Sequence, residues 1–215
     1  MADNITVKGE SGFTPAPEGQ FLAVCVDVVD LGERLESYQG GTPKIVKKVA
    51  LVFQIDEPNP ETGRPFEPSI EKTIAFGQTA GLRKFLSAWR GKAYSDAEAL
   101  AGVPLNKLVG VNALVQIEHR TSAKGRTYAN ISNIMPPAKK MAKLEIEDYI
   151  RSDHWAQRRA DYAEEIARWR AGNTPQASTA TTRNGQPVKQ KADADMTQPL
   201  PASVTAADDD DDLPF

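Results

Sequence analysis

Residues 44–56 read KIVKKVALVFQID, and their alternation decides how the rest of the chain is parsed. Val49, Leu51, Phe53 and Ile55 share one face at a period of two, while Lys48, Ala50, Val52 and Gln54 share the other. That period belongs to a strand, because successive side chains of an extended backbone leave it on opposite sides. Upstream, residues 19–31 (GQFLAVCVDVVDL) are rich in valine between turn residues, a second strand signal. The loop at 32–43, with Gly40 and Gly41, separates the two. Downstream, Pro58, Pro60, Gly63 and Pro65 punctuate a hairpin loop before residues 69–76 (SIEKTIAF) alternate again. Thr79 is placed to cap a helix in which Leu82, Phe85, Leu86 and Trp89 recur at helical spacing until Gly91. A short capped turn at 95–100 follows. Strands at 110–120 and 127–134 then flank a compact hairpin, and Pro136 and Pro137 close the unit.

Three strands, a helix and two strands make an all-β domain with helical additions, over residues 19–137. The order fits the OB-fold, a five-stranded barrel with its helix between strands three and four. Other small β-barrels with one helical insertion share this pattern. Residues 1–18 read as a flexible arm. Residues 138–172 form a basic segment, with Lys139, Lys140 and Lys143, leading into an amphipathic helix. On that helix Trp155, Tyr162, Ile166 and Trp169 make one apolar stripe, expected to pack against the barrel or another subunit. Residues 173–207 hold Pro, Ser, Thr, Gln and Ala and too few bulky apolar groups to offset ordering entropy; they read as a disordered linker.

The 215 residues are enough for one ordinary domain with extensions. A mean hydropathy of -0.46 and apolar runs far short of the ~20 residues of a membrane span argue against a membrane protein. The first residues carry neither a basic segment nor an apolar stretch of the signal-peptide kind. One cysteine, Cys25, forms no internal disulfide, and two histidines are few for a zinc site, so a cytoplasmic chain without metal or other cofactor is expected. No phosphate-binding Gly-rich loop, metal-ligand spacing or evident triad is present, which argues against an enzyme. The net charge of -3 hides an asymmetry. Residues 171–215 carry three basic residues against seven acidic ones, a balance of -4, leaving 23 basic and 22 acidic residues in the first 170. A nucleic-acid site on such a body has to be a local groove rather than a globally positive surface.

Residues 208–215 are Asp208, Asp209, Asp210, Asp211, Asp212, Leu213, Pro214 and Phe215. Five aspartates alone describe a solubilising tail. The apolar residues after them do not, since a solubilising tail gains nothing from an exposed phenylalanine. A carboxylate beside an aromatic ring is a compact ligand for a basic pocket with an apolar floor. Burying Phe215 contributes roughly 1.5–3 kcal/mol, the aspartates add steering, and Pro214 lowers the ordering cost. This acidic run ending in Leu-Pro-Phe resembles the C-terminal tip of bacterial and bacteriophage single-stranded-DNA-binding proteins. The succession of an OB-like body, a disordered linker and a tip is also similar to theirs. So are, more weakly, the stretches PEGQFLAVCVDVVDLG at 17–32, LRKFLSAWRG at 82–91 and KGRTYANISNI at 124–134. The resemblance implies a protein that coats single-stranded DNA and recruits replication, recombination and repair enzymes, with Phe215 as anchor. The usual N-terminal pattern of the bacterial proteins is absent, so neither their tetramer nor their stacking residues carry over.

Binding single strands without sequence preference takes cations along a groove and aromatic faces for bases. In an OB-fold that groove crosses strands two and three between two loops. The candidate cations are Lys44, Lys47 and Lys48 on strand two, Lys72 on strand three, and Arg120, Lys124 and Arg126 around the last hairpin. The candidate stacking groups are Tyr38, Phe66 and Tyr128, the last expected to point away from the core. Two rival readings stand beside this one: an adaptor that competes for tip-binding pockets without touching DNA, and a nucleic-acid enzyme such as a nuclease.

Overall fold

The computed structural model describes residues 14–37, 41–122 and 125–173. Tyr38, Lys124, the arm at 1–13, the linker and the acidic tip lie outside the described residues.

Five strands form one antiparallel sheet. They are β1 (Gly19–Glu36), β2 (Lys44–Ile55), β3 (Ser69–Thr73), β4 (Asn112–Thr121) and β5 (Thr127–Met135), in the order β3-β2-β1-β4-β5. β1 is long enough to pair with β4 over its first third, from Gly19↔Ile117 to Val24↔Asn112, and with β2 over the rest, from Ala23↔Ile55 to Glu36↔Lys44. Its register shifts between Cys25 and Asp27 and again between Asp30 and Gly32. An extra residue at each shift bends and twists the strand, which curls the sheet. β3 is shorter than its alternating sequence suggests, because the ladder with β2 ends at Lys48↔Thr73.

The helices α1 (Gly81–Arg90) and α2 (Asp96–Ala101) and a 3-10 turn (Leu105–Leu108) connect β3 to β4. Thr79 does not cap α1: Ala80 holds that position, without a side-chain hydrogen bond. Gly91 ends the helix as expected, with its φ of 73° and its N–H donating to the Ala88 carbonyl. Ser95 caps α2 in a reciprocal box, its Oγ accepting from the Glu98 N–H while the Glu98 carboxylate accepts from the Ser95 N–H.

Two cores result, one on each face of the sheet. Val49, Leu51, Phe53 and Ile55 of β2 join Val115, Ile117, Ile131 and Ile134 beneath Leu82, Phe85, Leu86 and Trp89 of α1. The second core holds Val24, Val26, Val29, Leu31, Ala50 and Val52 against Trp155 and Tyr162 of α3 (His154–Gly172). The strand face that opens with Lys48 is thus buried rather than wetted, and the apolar stripe of α3 supplies the cover. Residues 144–151 lace the approach to α3 onto the sheet. The Leu144 N–H donates to Asn112 Oδ1, the Glu147 N–H donates to Gln54 Oε1, and Asp27 takes Tyr149 Oη at 2.8 Å and both Arg151 Nε and Nη2 at 2.7 and 2.5 Å.

Candidate nucleic-acid interface

β3 and β5 are the two edges of the sheet. They approach each other, but no ladder joins them. A groove of about 1200 Å³ opens along this seam. One wall is the loop between β2 and β3, the other is Tyr128, Ala129 and Asn130 of β5, and His154, Trp155 and Arg158 of α3 reach in from one end. The loop is held tightly by its own backbone. The Asn59 carbonyl accepts from the N–H groups of Thr62 and Gly63, the Asn59 N–H donates to the Arg64 carbonyl, and Pro58 bridges to Pro65. Gly63, with a φ of 69°, makes the reversal that lets this happen. Arg64 then donates to the Asp148 carbonyl and pins the loop to the segment before α3.

The structure brings together some of the expected residues. Tyr128 is 42% exposed and stands in register with Arg120, also exposed, on the strand face opposite Ala129 and Ile131. A planar ring beside a guanidinium is the pairing that stacking on a base and holding its phosphate requires. Arg126 is exposed at the start of the same hairpin strand, its N–H donating to Ser122 Oγ.

Other residues are placed elsewhere. Phe66 is 7% exposed and belongs to the first core, because its N–H donates to Glu57 and its carbonyl accepts from Ile55, which turns the ring inward. It floors the groove and presents no free face to a base. Lys48 is also buried, bonded to Thr73 Oγ1 at 2.9 Å and paired with Glu36 at 2.5 Å, so its charge is neutralised internally. Lys72 sits over the Phe85 ring at 5.0 Å, and burial, with Lys48 nearby, lowers its pKa. Lys44 and Lys47 are exposed at the far end of β2, opposite Glu36 and Glu33 of β1. Lys47 lines a separate hollow with Asp30, Glu33, Arg159 and Arg170. The groove therefore does not cross β2, whose outer face α3 covers.

Within the groove the charges are mixed: Glu61, Glu67 and Glu71 against Arg64 and Arg158. Glu71 is the best connected, paired with Arg158, accepting from Tyr162 Oη at 2.9 Å and from Arg34 at 3.4 Å. His154 has its pKa lowered by burial and by Arg158, partly offset by Glu71, and its ring lies 4.0 Å from that of Trp155. Arg64, Glu71, His154 and Arg158 line the groove, and none of them is among the site residues expected from the sequence. The spacing of Arg158 and Tyr162, one helical turn apart on α3, is the one local signal that points to their joint position. Asp27 had a clearer signal, since a carboxylate inside the run VCVDVVD needs a partner once the strand is buried. Among the described residues, no three His, Cys, Asp or Glu side chains come together as a metal site. No family model matches the sequence, and no curated protein matches it either.

Proposed function

We propose that the chain binds single-stranded DNA along the seam between β3 and β5, and recruits replication, recombination and repair proteins through Phe215 and the aspartates before it. The setting proposed is the cytoplasm of a bacterial cell, phage-infected or not. The observation that carries the reading is Tyr128, exposed on the wall of an open groove and directly across the β4–β5 ladder from the exposed Arg120. Joining β3 to β5 would close this sheet into a five-stranded barrel with its helix between strands three and four, which is the arrangement the OB-fold reading needs. Fluorescence titration of the full chain with oligo-dT at two salt concentrations tests it. Binding is expected to weaken with salt at a logarithmic slope of about -0.7 per phosphate contact. No binding at low salt would sink the reading. Removal of residues 208–215 is expected to leave or strengthen oligo-dT binding, because the aspartates compete with phosphates, while abolishing partner binding.

A second reading draws on the mixed charge of the groove. Three carboxylates against two guanidiniums favour a peptide occupant over a bare phosphate chain, as an adaptor would require. The same titration separates the two, and magnesium-dependent cleavage of the oligonucleotide would favour the nuclease instead.

A further inference from the structure

Glu71 lies in the middle of β3 and reaches across the sheet's outer face to α3. Its carboxylate is 18% exposed and faces two guanidiniums and a phenol hydroxyl: Arg158 as an ion pair, Arg34 at 3.4 Å and Tyr162 Oη at 2.9 Å. Arg158 and Arg34 also flank the Tyr162 ring, 5.7 and 4.9 Å from its centre, and Arg158 Nε reaches Tyr162 Oη at 3.1 Å. Three donors converging on one anionic group make an anion site, of the kind that binds phosphate when the anion comes from outside. Here the anion is the protein's own. The site also communicates with the seam groove, since Glu71 and Arg158 both line it and Arg158 stays about half exposed. A phosphodiester in the groove therefore meets Arg158 with a competitor already in place.

We propose that Glu71 is an internal phosphate mimic: it occupies the anion site formed by Arg158, Arg34 and Tyr162, and a nucleic-acid phosphate takes its place when a strand fills the groove. This rests on the single-strand reading and adds to it a named phosphate position and a built-in brake on affinity. It also accounts for the mixed charge of the groove, because one of its carboxylates serves to hold an arginine rather than to repel a ligand.

The test is oligo-dT titration of the full chain carrying Glu71→Gln, Glu71→Asp, or Glu71→Gln with Arg158→Gln. Glu71→Gln removes the competing charge and keeps the shape. It is expected to tighten binding roughly three- to fivefold at low salt and to steepen the salt slope by about 0.7. Glu71→Asp keeps the charge and is expected to bind like the wild type. Adding Arg158→Gln is expected to cancel the gain. Unchanged or weaker binding by a folded Glu71→Gln variant, alongside binding by the wild type, overturns the mimic and leaves the single-strand reading intact. An oligonucleotide bound by neither form removes that reading and this inference with it. If Glu71→Gln fails to melt cooperatively, Arg158→Gln alone decides. It is expected to weaken binding roughly threefold with a slope about 0.7 shallower, and unchanged affinity and slope overturn the proposal.

Discussion

Trp155→Ala is the substitution that measures whether α3 belongs to the folded unit. Trp155 is 6% exposed and lies in the second core, with Val24, Val26, Val29, Leu31, Ala50 and Val52 of the sheet. Truncating a buried Trp to Ala costs about 3–5 kcal/mol, the lost transfer energy plus a cavity term. Trp155 also lines the seam groove, so water and neighbouring side chains can partly fill the gap, and the lower end, about 3 kcal/mol, is expected. That is a large part of the roughly 5–15 kcal/mol that holds a domain together, and it corresponds to a fall in Tm of about 6–12 °C. Urea unfolding of the full chain, followed by far-ultraviolet circular dichroism, should show a lower midpoint at unchanged slope. Trp155→Phe, which keeps most of the apolar volume, should lose less than about 1.5 kcal/mol. A loss below about 1 kcal/mol for Trp155→Ala would refute the reasoning, and so would an unaltered main transition preceded by a small separate one. Either result means that the sheet is stable without its second core.

Two further outcomes follow from single contacts. Burial pushes the Asp27 carboxyl up, but the hydrogen bonds from Arg151 and Tyr149 outweigh it and leave the pKa below the ordinary 3.8. The folded state thus holds the proton less tightly than the unfolded chain, and the stabilisation is present above that ordinary value and disappears as pH falls through the lowered one. Asp27→Asn should cost about 1–3 kcal/mol at pH 7. In denaturation measured from pH 7 downward, its deficit should close in acid, and a deficit independent of pH would rule out the linkage. Tyr128→Ala should weaken oligo-dT binding by about 1–3 kcal/mol, the worth of one stacked base, while Tyr128→Phe stays within roughly twofold of the wild type; equal losses in the two variants would mean that the hydroxyl, not the ring, makes the contact.

The strands were legible because each carries a two-residue alternation or a valine-rich run, and α1 because its apolar positions return every three to four residues. What the alternation could not say is which polar-looking face is wet. Lys48 and Gln54 share a face with Ala50 and Val52, and the mixture leaves its burial open; Gln54 is 1% exposed, with both ends of its amide bonded to the backbone of Glu147. That pairing spans 93 residues, and no local pattern announces it. The same holds for Phe66: proline and glycine in its loop mark a turn, but whether the ring enters the core depends on how the turn is bonded to β2. Thr79 failed as a cap for a smaller reason, the helix starting one residue later than its apolar spacing required.

These long-range contacts also decide where a ligand has room. A sheet offers two faces and two edges. One face holds the first core beneath α1, and α3 with the segment before it covers β1 and β2 on the other. β2 is interior to the sheet, so its lysines are left at a hairpin end or inside ion pairs. Among the described residues, the edges of β3 and β5 remain, and they face each other across the groove of about 1200 Å³. A strand lying there would meet Tyr128 on one side and the loop bearing Arg64 on the other, with Arg158 of α3 at the end. The helix that closes off β2 is thereby the one that brings a cation to the seam. Its burial against the sheet and its contribution to the groove are one arrangement, so Trp155, by holding α3 in place, also holds Arg158 at the end of the groove.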